Sequence, residues 1–502
     1  MSHLETLGPT ALVVRTCDED LGLQPDNFSI KPVHLANGLA RALTGKTHDT
    51  TALAQTLRRW VRDQKAGIDR ESNPTSQILD RYARAFRDGR DTEADRVNTL
   101  RALARDVLGA DDAVFQQADK SSYTLANGRF VSPDPSDNRA GLFVARLLRA
   151  GGGGDAEAFL LESLADDTDP YSTLAAPLLN LAATRDVPAR TGWESEALDR
   201  LLAVGADDRL DSAILRSLRE SFDRLARFER REGSKLNSMR RLVLFGCFVV
   251  HVHAISRWSE VVVDAPHPPI LLDLYDGGRL PLRDASRATL RAGGEALERL
   301  LMHRLIEKLG DLDNAAVNRI LDDEQALGKE QDSLKAAYDT QRSDPDSMPG
   351  EALAQAYLNV AFSGKQPVNF LTELGRRAGY LTPWANQGRG GRTKKRYGVT
   401  AEFLETLVAA TVEPDEMLDF GEFLDRLRHS FGILAGRAQD DEAVRACNLT
   451  GQQWTSTTSI AEEDLRMNVE ALRVAVLETG YAREYADGQT VIVSTPESES
   501  VR

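Results

Sequence analysis

Seven cationic side chains, Arg376, Arg377, Arg389, Arg392, Lys394, Lys395 and Arg396, fall within residues 371–396 against one acid, Glu373. Guanidinium and ammonium groups at that density pair with phosphate oxygens and displace the counterions around them. Glycines at 388, 390 and 391 interrupt the run, which lets its backbone come close to a polyanion. The chemistry these residues suit is contact with a nucleic-acid backbone, and all seven are candidate contacts.

Other constellations hold reactive residue types and carry less. Cys247 and His251 lie one turn apart on a helix, with His253 pointing elsewhere and His267 on the loop that follows. On a strand, Cys247, His251 and His253 would share a face, as metal ligands do. In a segment apolar on all sides, however, histidines more often hydrogen-bond within the core. Asp264, Asp273 and Asp276 flank strand-like runs, where nucleases carry metal-binding carboxylates, but no Glu-x-Lys follows. They read as turn and cap residues. Gly45-Lys46-Thr47 ends like a phosphate-binding loop, yet Ala40 stands where that loop needs its first glycine, and the segment before it is helix-like. Arg299 and His303 sit at helical spacing and read as a surface pair. No catalytic residue, metal ligand or cofactor is assigned.

Two helices and a hairpin are needed to position the cations. Leu353, Ala356, Tyr357 and Val360 mark one helical face, Ser363 to Pro367 a turn, and Phe370, Leu371 and Leu374 a second helix from near Asn369 to Gly379. Arg376 and Arg377 are expected on its exposed side. Tyr380-Leu381-Thr382 then starts a strand that leads through the basic run and returns at Tyr397-Gly-Val-Thr400. The segment resembles the winged-helix domains of bacterial transcription regulators, where a helix ends in a glycine before an aliphatic residue and a basic hairpin returns through Tyr-x-x-Thr. The matching landmarks are Gly379, Leu381, Arg396, Tyr397 and Thr400. The resemblance implies a recognition helix for the major groove and a basic wing for the neighbouring phosphates. It covers about a tenth of the chain, and the helices carrying Phe403, Leu404, Leu407 and Val408, then Phe420, Phe423, Leu424, Leu427 and Phe431, would complete its core.

Around this segment the chain divides by composition. Residues 1–150 are expected to form a helical N-terminal domain, with Leu53, Leu57, Trp60 and Val61 at helical spacing. The glycines at 151–154 break the helical pattern, and a helical middle domain follows over 155–339, built on the apolar run 242–255. Residues 340–350 read as a linker rich in Pro, Ser and Asp. A winged-helix domain is expected over 351–445 and a second small helix-plus-hairpin unit, itself of possible winged-helix type, over 446–493, with a disordered tail at 494–502. That second hairpin lacks a cation cluster, which suits packing or dimerisation. The fold class expected is a mainly α, multidomain protein with a few short strands and a C-terminal winged-helix (α+β) region.

Charge and composition bound the function. Asp and Glu outnumber Lys and Arg by 77 to 62 in 502 residues, a formal charge of -15, so contact with nucleic acid must be local. Three distant cysteines, Cys17, Cys247 and Cys447, suggest neither a disulfide framework nor a zinc ribbon. The start lacks the features of a secretory signal, and 242–255 is short for a membrane span and carries histidines. The expectation is a cytoplasmic protein without a membrane partner. Overall the chain is similar to large helical proteins with terminal winged helices encoded beside bacterial multi-gene anti-phage defence systems, including methylation-linked ones. The reading is therefore a non-catalytic subunit that docks on DNA and on other protein subunits of one system, with a homodimer left open. Two alternatives remain: an assembly scaffold without nucleic-acid contact, and a metal-dependent nuclease centred on Asp264 to Asp276 or on Cys247 and His251.

Overall fold

The structure is a computed structural model that describes residues 7–24, 30–48, 131–132, 135–165, 186–188, 212–232, 235–264, 267–274, 280–344, 346–384, 395–436 and 460–493, with Gly128, Leu210 and Asp440. The amphipathic stretch around Leu53 to Val61 and the tail at 494–502 lie outside the described residues. As expected, the chain is mainly helical with a few short strands. It divides into unit 1, Met1–Ile30 with Phe248–Leu404 and Met417–Arg502, and unit 2, Lys31–Cys247 with Glu405–Glu416.

Helix α1 (Pro9–Leu21) opens unit 1. Unit 2 then takes α2 (Pro32–Thr44), β1 (Lys46–His48), α3 (Ala140–Arg149), α4 (Asp155–Ala165), β2 (Asp186–Pro188), α5 (Ala213–Glu232) and the first half of α6 (Lys235–Trp258). Unit 1 resumes within α6 and continues through a π-helical turn (Ser259–Val263), β3 (Ile270–Leu271), α7 (Leu280–Leu309), α8 (Asn314–Leu321), α9 (Glu324–Leu327) and α10 (Gln331–Arg342). There follow α11 (Pro349–Ala361), α12 (Asn369–Ala378), β4 (Leu381–Thr382) and β5 (Arg396–Tyr397). Helix α13 (Ala401–Thr411) passes into unit 2, and unit 1 ends with β6 (Met417–Asp419), α14 (Phe420–Phe431), β7 (Ile433–Leu434), α15 (Glu462–Glu478), β8 (Ala482–Glu484) and β9 (Thr490–Val493).

In unit 2, Leu215, Leu218, Phe222 and Leu225 make the buried stripe of α5, and Phe222 meets Phe245 of α6 edge-on at 4.8 Å. Helices α2 and α3 cross closely. Beside that crossing Asp137 accepts Arg41 Nη2 at 3.1 Å and the amide of Gly141 at 3.0 Å, so a buried carboxylate fixes both helices with charge-assisted bonds. Glu229, also buried, is held by Arg241 and by Ser238 Oγ at 2.7 Å.

Every residue from Leu242 to Ile255 is buried, as expected for a segment apolar all round. The longer stretch Asn237–Val263 is long and apolar enough to cross a membrane, but 94% of its most apolar window is buried inside the protein, as a core helix is. In unit 1, Phe248 of α6 meets Tyr380, Phe403 and Phe431 edge-on at 5.4, 5.5 and 5.9 Å. Helix α1 packs on α7 and α11, tied by Arg304 to Asp20 at 3.0 Å and Lys308 to Glu19 at 2.6 Å. Residues 340–350, whose composition reads as a linker between domains, lie within unit 1: they end α10, turn back with Arg342 donating to the Ser347 carbonyl, and start α11, which packs on α10. Pro349 suits the first turn of a helix because its missing N–H has no acceptor there.

Strand pairings are short. β3 pairs in parallel with β7, and β4 antiparallel with β5. β6, β9 and β8 form a three-stranded antiparallel sheet in that order, with Leu418 opposite Ile492 and Arg483 opposite Val491. Helix α14 packs against β6 and β9, and α15 against β8.

Candidate nucleic-acid interface

Helix α11, a turn, helix α12 and the β4–β5 pair follow one another in the order expected around the basic run. The chain leaves α12 at Gly379 and comes back beside it: Thr400 N–H donates to the Gly379 carbonyl at 2.9 Å and Gly398 N–H to the Tyr380 carbonyl at 3.2 Å. Leu381 pairs with Tyr397 and Thr382 with Arg396, so residues 383–395 form the connection between two paired strands. That connection holds four of the seven candidate cations, Arg389, Arg392, Lys394 and Lys395.

Arg376 and Arg377 are not exposed, which corrects the expectation for α12. Their relative exposures are 7% and 9%. Arg376 donates to the Pro383 carbonyl at 2.7 Å, to Glu373 at 3.0 Å and to the Trp384 carbonyl at 3.0 Å. Arg377 donates to the other oxygen of Glu373 at 2.8 Å. Glu373 lies three and four residues before them, the spacing at which helical side chains meet. Arg376 thus satisfies carbonyls of the chain leaving β4, which a buried backbone needs. Neither arginine is offered to a phosphate in this arrangement.

Arg396 is tied at the foot of the loop. Its Nε donates to Asp273, whose carboxylate is buried and also accepts Arg283 Nε of α7 at 3.4 Å. Asp273, read from sequence as a turn or cap residue, is therefore an internal counter-charge for two arginines. Its own N–H donates to the Tyr397 carbonyl at 3.1 Å. Ser286 Oγ accepts the Tyr397 amide at 3.1 Å, and the Tyr397 hydroxyl lies 2.9 Å from His251 Nε2. Burial drives the His251 pKa down to about 3 and the Tyr397 pKa up. Both stay neutral through the physiological range, and their hydrogen bond holds β5 to α6.

Of the remaining candidates, Arg389, Arg392 and Lys394 lie outside the described residues, and Lys395, half-buried, stands at their edge with an interaction of its own. His253 makes its bond to the Leu21 carbonyl at 3.1 Å, and burial, with Arg257 nearby, lowers its pKa to about 3. Burial lowers His267 to about 4 and raises the Cys247 thiol. Among the described residues no three His, Cys, Asp or Glu side chains converge as metal ligands do. Asp264 sits with φ 53° where the π-helical turn ends, and Asp276 lies outside the described residues. Gly45 ends helix α2 and Lys46-Thr47 enters β1, so helix and not strand precedes that glycine. His303 pairs with Glu307 at 3.3 Å on the face of α7.

Asp273, Ser286 and His251 escaped the sequence reading as parts of this site, because their partners are 123, 111 and 146 residues away in the chain. No family model matches the chain, nor does any curated protein or solved structure.

Proposed function

We propose that this chain is a non-catalytic subunit of a bacterial multi-protein system, of the anti-phage kind its sequence resembles, that docks on DNA through the loop between β4 and β5. The observation that carries the reading is the way the loop's two feet are held. Arg376 fixes the exit at Pro383 and Trp384, and Asp273 with Ser286 fixes the return at Arg396 and Tyr397. A cationic loop with anchored ends loses less entropy on engaging phosphates than one on free ends. The winged-helix reading is supported by the order helix, turn, helix, hairpin over 349–397. It is supported again by the segment 417–493, where among the described residues β6, α14, β7, α15 and the β8–β9 hairpin follow one another and β6 pairs with β9 of the hairpin. In this reading α12 is a packing helix, and the loop cations make the contact.

The test is binding of a labelled duplex by the full chain and by the variant carrying Arg389→Ala, Arg392→Ala, Lys394→Ala and Lys395→Ala. Loss of binding in the variant is expected, and unchanged affinity would overturn the reading. A second reading, a contact with other subunits, is favoured for α15, whose first turn exposes Glu462 and Glu463. An acidic helix start repels phosphate and suits a basic protein surface. Partners retained by the loop variant in a pull-down would support that contact as separate from DNA docking.

A further inference from the structure

The face of α15 that packs inward contains two polar residues, Asp464 and Asn468, of which Asn468 is bonded to strand-end backbone on both of its amide atoms. Asn468 is 0% exposed. Its Nδ2 donates to the Leu272 carbonyl and to the Ala435 carbonyl, both at 2.8 Å, and its Oδ1 accepts the Leu274 amide at 2.8 Å. The carboxamide is thus satisfied on both ends, as a buried amide must be.

Those partners have a pattern. In the β3–β7 ladder Ile270 N–H donates to the Gly432 carbonyl at 2.8 Å and Leu272 N–H to the Leu434 carbonyl at 3.0 Å. The next rung of a parallel ladder would be a residue of β7 whose N–H donates to the Leu272 carbonyl and whose carbonyl accepts the Leu274 amide. The β7 chain does not supply it: it turns away at Gly436, whose φ of 109° suits glycine and whose amide is taken by Asp440 at 2.7 Å. Asn468 does both jobs in its place.

The residue between Leu272 and Leu274 is Asp273, the counter-charge of Arg396 at the foot of the basic loop. Asn468 holds the backbone on both sides of that carboxylate. Asp273 in turn grips β5 twice, by its carboxylate on Arg396 and by its amide on the Tyr397 carbonyl. We infer that Asn468 is a positioning residue for the basic loop, a surrogate ladder rung that fixes Asp273 and, through it, the orientation of β5 where the loop returns. The inference rests on the proposed DNA contact for its functional meaning. It joins the module at 417–493, which has no cation cluster, to the contact made by residues 383–396.

Hydrogen exchange of the full chain tests the link without nucleic acid. In Asn468→Ala, exchange at residues 396–398 should rise about tenfold while α10 and α11 keep their protection. Leu472→Ala, on the same buried face of α15, is the control: it should lower stability without that selective rise. Should Asn468→Ala fail to fold, Asn468→Asp keeps the acceptor for Leu274 and removes both donations, and it should raise the same amides. Wild-type exchange at 396–398 in the Asn468 variants, or an equal rise in Leu472→Ala, would overturn the inference. In duplex titrations Asn468→Ala should weaken binding by about threefold to tenfold with the salt slope unchanged, because no cation is removed. A wild-type chain that binds no duplex would sink the DNA reading while the exchange result still decides the positioning role.

Discussion

Arg376 Nη1 lies 3.0 Å from Glu373 Oε2, so the helix expected to present cations to nucleic acid neutralises one of them within itself. With the side chain of Arg376 6% exposed, that pair is closed to a phosphate. Arg376→Ala would leave the Pro383 and Trp384 carbonyls without their donor and Glu373 with Arg377 alone. Breaking a buried pair of this kind costs about 3 kcal/mol. Urea unfolding should therefore show a lower midpoint for Arg376→Ala, while the salt slope of duplex binding by the folded variant stays that of the wild type. A reduced slope with unchanged stability would restore Arg376 to the list of contacts.

Three buried histidines make unit 1 sensitive to acid. The pKa is about 3 for His251 and for His253 and about 4 for His267, each lowered by burial from 6.5. The unfolded chain takes up protons that the folded chain refuses. Stability is then fully present above pH 6.5 and falls as pH drops through it, by about 1.4 kcal/mol per pH unit for each histidine. Unfolding midpoints measured at about pH 7.5, 6 and 5 should decline steeply. His251→Asn and His253→Asn should each flatten the decline, and a wild-type curve flat over this interval would contradict the buried assignment.

The α2–α3 crossing in unit 2 has no room for a methyl group at Gly141. A Cβ there would lie 2.1 Å from the Leu39 nitrogen and 2.3 Å from the Gly38 carbonyl carbon. Both are backbone atoms, so relief requires the helices to part. Gly141→Ala should destabilise by about 2 kcal/mol or more, although alanine is the better helix former. A stabilised variant, read by thermal unfolding, would contradict this crossing.

The sequence was most readable where one physical rule acted alone. A run from 242 to 255 without a solvent face had to be buried, and the structure buries all of it. The helix, turn, helix and hairpin order at 349–397 followed from apolar spacing and Gly379. The direction of Arg376 and Arg377 was not readable, because two arginines after a leucine stripe look like a solvated face. Their acceptors, the Pro383 and Trp384 carbonyls and Glu373, decide otherwise. Asp273 and Asn468 were hidden for a related reason. Each has a decisive partner more than a hundred residues away, Arg396 for Asp273 and Leu272 for Asn468, and no local pattern encodes those pairings.

In the proposed docking, the loop between β4 and β5, and not α12, meets the phosphates. The direct measurement is duplex affinity by fluorescence anisotropy between about 50 and 200 mM salt, plotted as log affinity against log salt concentration. Contacts by Arg389, Arg392, Lys394 and Lys395 alone predict a slope of about -3.6, and contacts by all seven cations about -6.3. The proposed docking gives the shallower slope in the wild type and its loss when those four residues become alanine. A slope near the steeper value, or one that survives the four substitutions, would contradict it.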